Sequence, residues 1–343
     1  MMFTDHEYET GVAFRRIRRI AILALALAFV HVVFGAIVRI SGSGMGCGDH
    51  WPKCSGFWIP PMSRPDLIIE VTHRYLASIL SLTIAALAFV AWRNRDTPQV
   101  AGRLGPMRSA FGALGAVLAA AILGAVTVKM QNTMVATVAH WCVAMALLAL
   151  LVATVVRSTT GPTDDRRVSP KTGRAAAAAA GLAGLAVAMG GVTAKFTGGP
   201  IACLNFPLCG TNPGVPAGAA GVQITHRVIA LLLTLHLLGV VMALWKRGAT
   251  EAPVVVRAAR TAFGFVLLQW VVAGAMIGMK LPPALRSVHQ AVGVSIWISA
   301  FAFAYIAWVG SRPVAEVELF PVQRPSGPRK TIARPSLGSR KYE

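Results

Sequence analysis

Two stretches of this 343-residue sequence repeat each other around a histidine. Glu70-Val71-Thr72-His73-Arg74 is answered by Gln223-Ile224-Thr225-His226-Arg227, and six of the thirteen positions starting at Glu70 and Gln223 are identical. A second pair of histidines, His140 and His289, corresponds in the same way. Neutral imidazole is a good iron ligand, and two histidines from facing helices are what a six-coordinate haem needs. Such a pair suits a flat macrocycle better than zinc, whose sites usually add cysteine or carboxylate ligands. The bland alternative is a histidine bonded to a neighbouring helix. Four of them, repeated at one matched depth in an apolar setting, favour ligation, because polar groups there are costly. A transmembrane electron wire would need haems at two depths. His31 and His236 have no counterpart in the other half, and His6 and His50 lie in tail and loop. All four read as structural or unassigned.

Glu70 stands three residues before His73, so on a helix the two share a face, with β-carbons about 5–6 Å apart. The matching residue in the other half is Gln223. The halves thus agree in candidate ligands and differ in one ionisable group, which points to chemistry in the first half. The competing role for Glu70 is to favour a helix N-terminus through the dipole. Arg74 and Arg227 follow the first and third histidines directly. Each has two readings, a partner for a haem propionate or a side chain snorkelling to the membrane surface.

Composition dictates what positions these residues. Only 13% of the chain is charged while 55% is AVILMFWYC, with 33 further glycines. A soluble fold could not cover that much apolar surface, and disorder requires the opposite bias. Membrane β-barrels alternate apolar and polar residues and lack long apolar runs. Crossing a bilayer as a helix takes about 20 mostly apolar residues. Eight such runs occur, near 20–39, 67–92, 109–128, 134–156, 175–194, 218–245, 261–279 and 284–309. The N-terminal tail, the segments 93–108, 157–174 and 246–260, and the C-terminal tail hold 24 of the 33 Lys and Arg. Positive segments stay in the cytoplasm, so both termini are expected inside and the four histidines toward the outer side. The net charge of +20 then reflects topology and attraction to anionic membrane lipid rather than to nucleic acid. No small-residue cleavage site follows the first apolar run, so residues 1–19 are not expected to belong to a cleaved signal peptide; they are also too acidic for a typical mitochondrial presequence, and a bacterial inner membrane is the simpler expectation.

The repeat extends along the chain. Gly35 to Gly42 matches Gly191 to Gly198, and Gly124-Ala125 answers Gly274-Ala275, at an offset that stays between 149 and 156 residues. The expected fold is an all-α polytopic membrane protein. Its eight transmembrane helices form two tandem four-helix bundles related by a pseudo-twofold axis along the membrane normal, as parallel repeats are. The expected division is a cytoplasmic tail 1–19, a first half 20–156, a linker 157–174, a second half 175–309 and a basic cytoplasmic tail 310–343.

Cys47 and Cys54 share one outer loop, and Cys203 and Cys209 share another. On the oxidising face each pair is expected as a disulfide, Cys47–Cys54 and Cys203–Cys209. Their spacing is not the C-x-x-C of a thioredoxin-like motif, and they read either as loop staples or as a redox or substrate-handover device. Cys142, in the fourth span, reads as a small buried packing residue.

Taken together, the Glu70–Arg74 stretch, His140, His226-Arg227, His289, the segment Arg39-Ile40-Ser41-Gly42-Ser43-Gly44 and both cysteine pairs resemble the heme A synthase family, over about residues 15–310. The cysteine spacings are similar to those of its bacterial members with a pair in each half. The resemblance implies oxidation of the C8 methyl group of haem O to a formyl group, giving haem A, with water as oxygen source. It implies haem b held by His226 and His289, the substrate haem flanked by His73 and His140, and Glu70 as base or nucleophile at the methyl group. The implied partners are haem O synthase, which supplies the substrate, and terminal-oxidase assembly factors, which take the product. The sequence itself leaves open the electron acceptor, the source of the formyl oxygen and a homo-oligomeric state. Two other classes compete. A non-catalytic di-haem cytochrome or haem carrier accounts for the histidines but not for Glu70 against Gln223. A quinone-linked thiol oxidase accounts for cysteine pairs but not for the histidines.

Overall fold

A computed structural model describes residues 5–48, 50, 53–159, 168–210 and 212–311. The tail from Arg312 and the acid Asp49 lie outside the described residues. Eight long helices are apolar enough to cross a membrane, which makes the chain a multi-pass membrane protein. They are α1 (Asp5–Ile40), α2 (Pro65–Arg93), α4 (Pro106–Lys129), α5 (Met134–Thr159), α6 (Pro170–Lys195), α7 (Ala217–Arg247), α8 (Pro253–Gly278) and α9 (Pro283–Gly310), with a single turn α3 (Pro98–Ala101) between α2 and α4.

Proline sets many of the helix starts. Pro65, Pro106, Pro170, Pro253 and Pro283 stand in the first turns of α2, α4, α6, α8 and α9, where the missing N–H costs nothing and φ is already helical. Two helices begin well before their apolar runs. In α1, Ala13 and Ile17 are buried while Arg15, Arg16 and Arg19 face outward. In α8, Val255, Ala259 and Ala262 are buried while Arg257 and Arg260 are exposed. Arginine is a good helix former, so these helices continue past the hydrophobic run as amphipathic turns.

α1 packs on α2 and α5, and α4 on the same two helices. In the second set α6 packs on α7 and α9, and so does α8. The sets meet along α1–α9, α5–α6 and α5–α9. In lipid, helices associate by close packing rather than by the hydrophobic effect. Small residues serve that end on α6, where Ala176, Ala179 and Ala183 are each fully buried. An Ala183→Leu change would overpack this contact at a cost of about 1–3 kcal/mol. Directed bonds tie the sets together: Trp297 Nε1 donates to the Met145 carbonyl at 2.9 Å, and Arg157 donates to Tyr305. Large side chains such as Leu82, Ile122 and Val271 point outward, 66–72% exposed, as lipid contact requires.

One polar knot is buried at the end opposite the disulfides. Ser169 caps α6 by accepting from Thr172 N at 3.2 Å. Glu251, only 4% exposed, accepts from Ser169 Oγ at 2.6 Å, Thr172 Oγ1 at 2.7 Å and Arg247 Nη1 at 3.2 Å. Burial alone would raise the Glu251 carboxyl, but the bonds from Ser169, Thr172 and Arg247 outweigh it and hold its pKa below the ordinary value.

Candidate functional site

The four repeated histidines lie near the disulfide end of α2, α5, α7 and α9. Each is half-buried, and each has an Nδ1 shut off from solvent without a hydrogen-bond partner. A buried polar atom left unpaired is costly, so four alike call for an explanation. The rings fall into two groups. His73 is within electrostatic reach of His140, and His289 within reach of His226. Glycines clear the space beside three of them. A β-carbon at Gly35 would stand 3.3 Å from His73 Cε1, at Gly124 3.5 Å from His140 Cε1, and at Gly190 3.2 Å from His226 Cε1. Paired imidazoles with unsatisfied nitrogens and cleared flanks are a donor set that fits a haem.

One of the four rings has an amide neighbour on another helix. Gln269 Nε2 donates to the His289 carbonyl at 2.9 Å, which orients the amide, and the same nitrogen lies 3.3 Å from His289 Nε2. Gln269 on α8 thus braces His289 from the neighbouring helix.

His31, set aside on sequence grounds, stands in the first group. Its ring stacks on that of His73 with centroids 4.2 Å apart and planes 15° apart. Its Nε2 is buried without a partner. In the register that pairs Gly35 with Gly191, Val187 takes the corresponding place. The first group therefore differs from the second by a third histidine as well as by Glu70. Trp141, next to His140, was also missed. It packs across the seam on Gly191, whose β-carbon would come 3.3 Å from its Cδ1, while the neighbouring Gly190 faces His226.

Glu70 is 4% exposed, and both its oxygens are engaged. Oε2 accepts from Cys47 N at 2.8 Å and Oε1 from Arg74 Nη2 at 2.6 Å. In the other half Gln223 Oε1 accepts from Cys203 N at 2.6 Å. Carboxylate and amide thus perform the same anchoring of a disulfide loop, and only the carboxylate also captures the arginine. Arg74 is held by Glu70 and by the His50 carbonyl at 2.8 Å. Arg227, facing a neutral amide, donates instead to the carbonyls of Asn205, Pro207 and Leu208 at 2.8–2.9 Å. Both arginines organise loops.

Cys47 is bonded to Cys54, and Cys203 to Cys209. The loops share further detail. Gly42 and Gly198 both adopt positive φ, 75° and 74°, where glycine carries no β-carbon penalty. The expectation for Cys142 was wrong: it is exposed. Two residues turn a helix by about 200°, so with His140 facing inward Cys142 faces outward.

A family model described as cytochrome oxidase assembly protein matches residues 18–301. Among curated relatives, the heme A synthase of Shouchella clausii is 29% identical over 241 residues, covering 67% of this chain and 75% of the relative. That of Alkalihalophilus pseudofirmus is 28% identical over 237 residues, 67% of this chain and 76% of the relative. That of Bacillus cereus is 25% identical over 304 residues, 87% of this chain and 94% of the relative. The eight-helix chain with its paired histidines belongs to the cytochrome oxidase assembly protein family, that of the heme A synthases.

Proposed function

We propose that this protein is a heme A synthase that converts haem O to haem A. The observation that carries this reading is the asymmetry between two otherwise matched histidine groups. His226 and His289 would hold haem b. His73 and His140 would flank the substrate haem O, and only this group lies beside a carboxylate and a third histidine. A resident haem alone needs neither.

Oxidation of a methyl to a formyl group with water as oxygen source releases four protons and four electrons. Haem b, when bound, would supply one-electron redox chemistry, and an electron acceptor outside this chain would take up the four electrons. The protein supplies position and proton handling. His73 and His140 would orient the substrate, Glu70 would take a proton from the methyl group or, once that carbon has lost a proton and two electrons, add to it as a carboxylate until water displaces it, and Arg74 aims Glu70 through its 2.6 Å contact. The disulfide end faces the outside of a bacterial inner membrane, with both termini in the cytoplasm, as the placement of basic residues supports. The two sets of four helices act as halves of one tandem unit, the first for substrate and the second for cofactor. Haem O synthase supplies the substrate, and terminal-oxidase assembly takes the product. The test is complementation. Cells that make haem O but lack their own heme A synthase should accumulate haem A when given this chain, and unchanged haem O with no haem A would count against the proposal.

A further inference from the structure

Three cations converge where the two sets of helices meet at the disulfide end. Arg39 is in the last turn of α1, Lys195 in the last turn of α6, and Arg286 in the first turn of α9. Arg39 and Lys195 are matched positions of the duplication. Arg39 is within electrostatic reach of both Arg286 and Lys195, and all three are half-buried. Arg39 Nη2 donates to Gln290 Oε1 at 3.2 Å, and Gln290 Nε2 donates to the Val32 carbonyl at 3.3 Å, which turns the amide oxygen to the guanidinium. Among the described residues none of the three forms an ion pair. The carboxylates described at this end, Asp66 and Glu70, pair with Arg64 and Arg74.

The helix dipole accounts for cations in the last turns of α1 and α6 but disfavours one in the first turn of α9. Like charges gathered in a half-dehydrated seam repel. An anion among them reverses that sign, and the N-terminus of α9 adds to its attraction. The cluster also rims both histidine groups. Arg39 is one turn beyond Gly35, which clears His73. Arg286 is three residues before His289 and shares its face. Lys195 is one turn beyond Gly190 and Gly191, which pack on His226 and Trp141.

We propose that Arg39, Lys195 and Arg286 form an oxyanion seat at the seam between the two histidine groups. Its ligand is a carboxylate or phosphate oxygen, from a propionate of a bound haem or from the headgroup of an anionic phospholipid. The placement of the cluster, one turn beyond the glycines that pack on His73 and His226 and one turn before His289, favours the propionate. That arm rests on the haem reading above; the lipid arm does not.

The experiment uses the full-length protein, with Arg39→Gln, Lys195→Gln and Arg286→Gln made singly and together. Arg39→Lys with Lys195→Arg serves as a charge-preserving control. Intact disulfides and an unchanged gel-filtration profile establish folding, and the single variants stand in if the triple one fails to fold. Haem-depleted protein is titrated with ferric protohaem and with its dimethyl ester, whose carboxylates are blocked. Wild type and control should prefer the free acid by about a thousandfold or more, the product of three charge-assisted bonds. Each lost charge-assisted bond should weaken its binding by about tenfold to a hundredfold, until the triple variant binds both forms alike. Co-purifying phospholipid is measured by mass spectrometry in parallel. Anionic lipid retained by wild type and lost from the triple variant, with the ester preference unchanged, would assign the seat to phosphate. If neither readout moves, the seat is wrong. If wild type binds no haem at all, the haem reading fails and the lipid measurement alone judges the seat.

Discussion

Replacing Glu70 with Gln copies what the second half already carries at Gln223, so the structure allows its cost to be separated into parts. The contact with Cys47 N survives, because an amide oxygen makes the same bond to Cys203 N at 2.6 Å. The ion pair with Arg74 is lost. A hydrogen bond to a charged group contributes about 1.5–3 kcal/mol, and Arg74 keeps its bond to the His50 carbonyl. The net loss should stay near the low end, about 1–2 kcal/mol, which leaves the loop, its disulfide and the bundle in place. Glu70→Ala should do more damage, since it also strands the buried Cys47 N–H at about 1–3 kcal/mol further. A positioned general base contributes roughly 10²–10⁴ in rate. Glu70→Gln is therefore expected to keep haem b and bind haem O while forming haem A at least about a hundredfold more slowly. The assay is haem extraction and chromatography from cells that carry the variant with haem O synthase, beside a thermal melt and haem b content of the purified protein. Wild-type yield of haem A would refute the catalytic role and leave Glu70 as a loop anchor. Loss of all haem would show that the anchoring argument is wrong.

Replacing His226 or His289 with Ala should abolish the b-type spectrum of the purified protein, and a normal bis-histidine spectrum in both variants would contradict the assignment. Mass mapping without reductant should find Cys47 linked to Cys54 and Cys203 to Cys209, and Cys142, exposed on α5, as the free thiol. Glu251 is held ionised below the ordinary glutamate value of 4.5, so its contribution is complete above that pH and disappears as pH falls through the lowered value. Thermal melts of wild type should therefore lose stability at the acid end, and Glu251→Gln should be less stable at neutral pH and lack that part of the acid slope.

What was legible in the sequence followed from strong periodic signals. All eight spans were readable because apolar runs of that length have few other uses. Their ends were not: α1 and α8 begin early because arginines on one face leave Ile17 or Val255 free to pack on the other. The four histidines were legible because duplication repeats them. His31 has no repeat partner, and only the approach of α1 to α2 lays its ring on His73. Arg74 and Arg227 read as equivalent in sequence, yet one charge at Glu70 sends them to different partners. Gln269, Trp141 and the cluster at Arg39 depend on contacts between distant helices, which no local pattern encodes. Cys142 reads as a core residue from its apolar span, but two residues on from the inward His140 the helix carries it to the outer face.

The central claim is that one histidine group holds a resident haem and the other processes its substrate. The most direct measurement is the haem content of the purified protein after co-expression with haem O synthase, by pyridine haemochrome spectra and chromatography. The account predicts haem b together with haem O or haem A, with haem b lost on His226→Ala and the second haem lost on His73→Ala while haem b remains. Haem b alone in wild type, or both haems lost together in either variant, would contradict it.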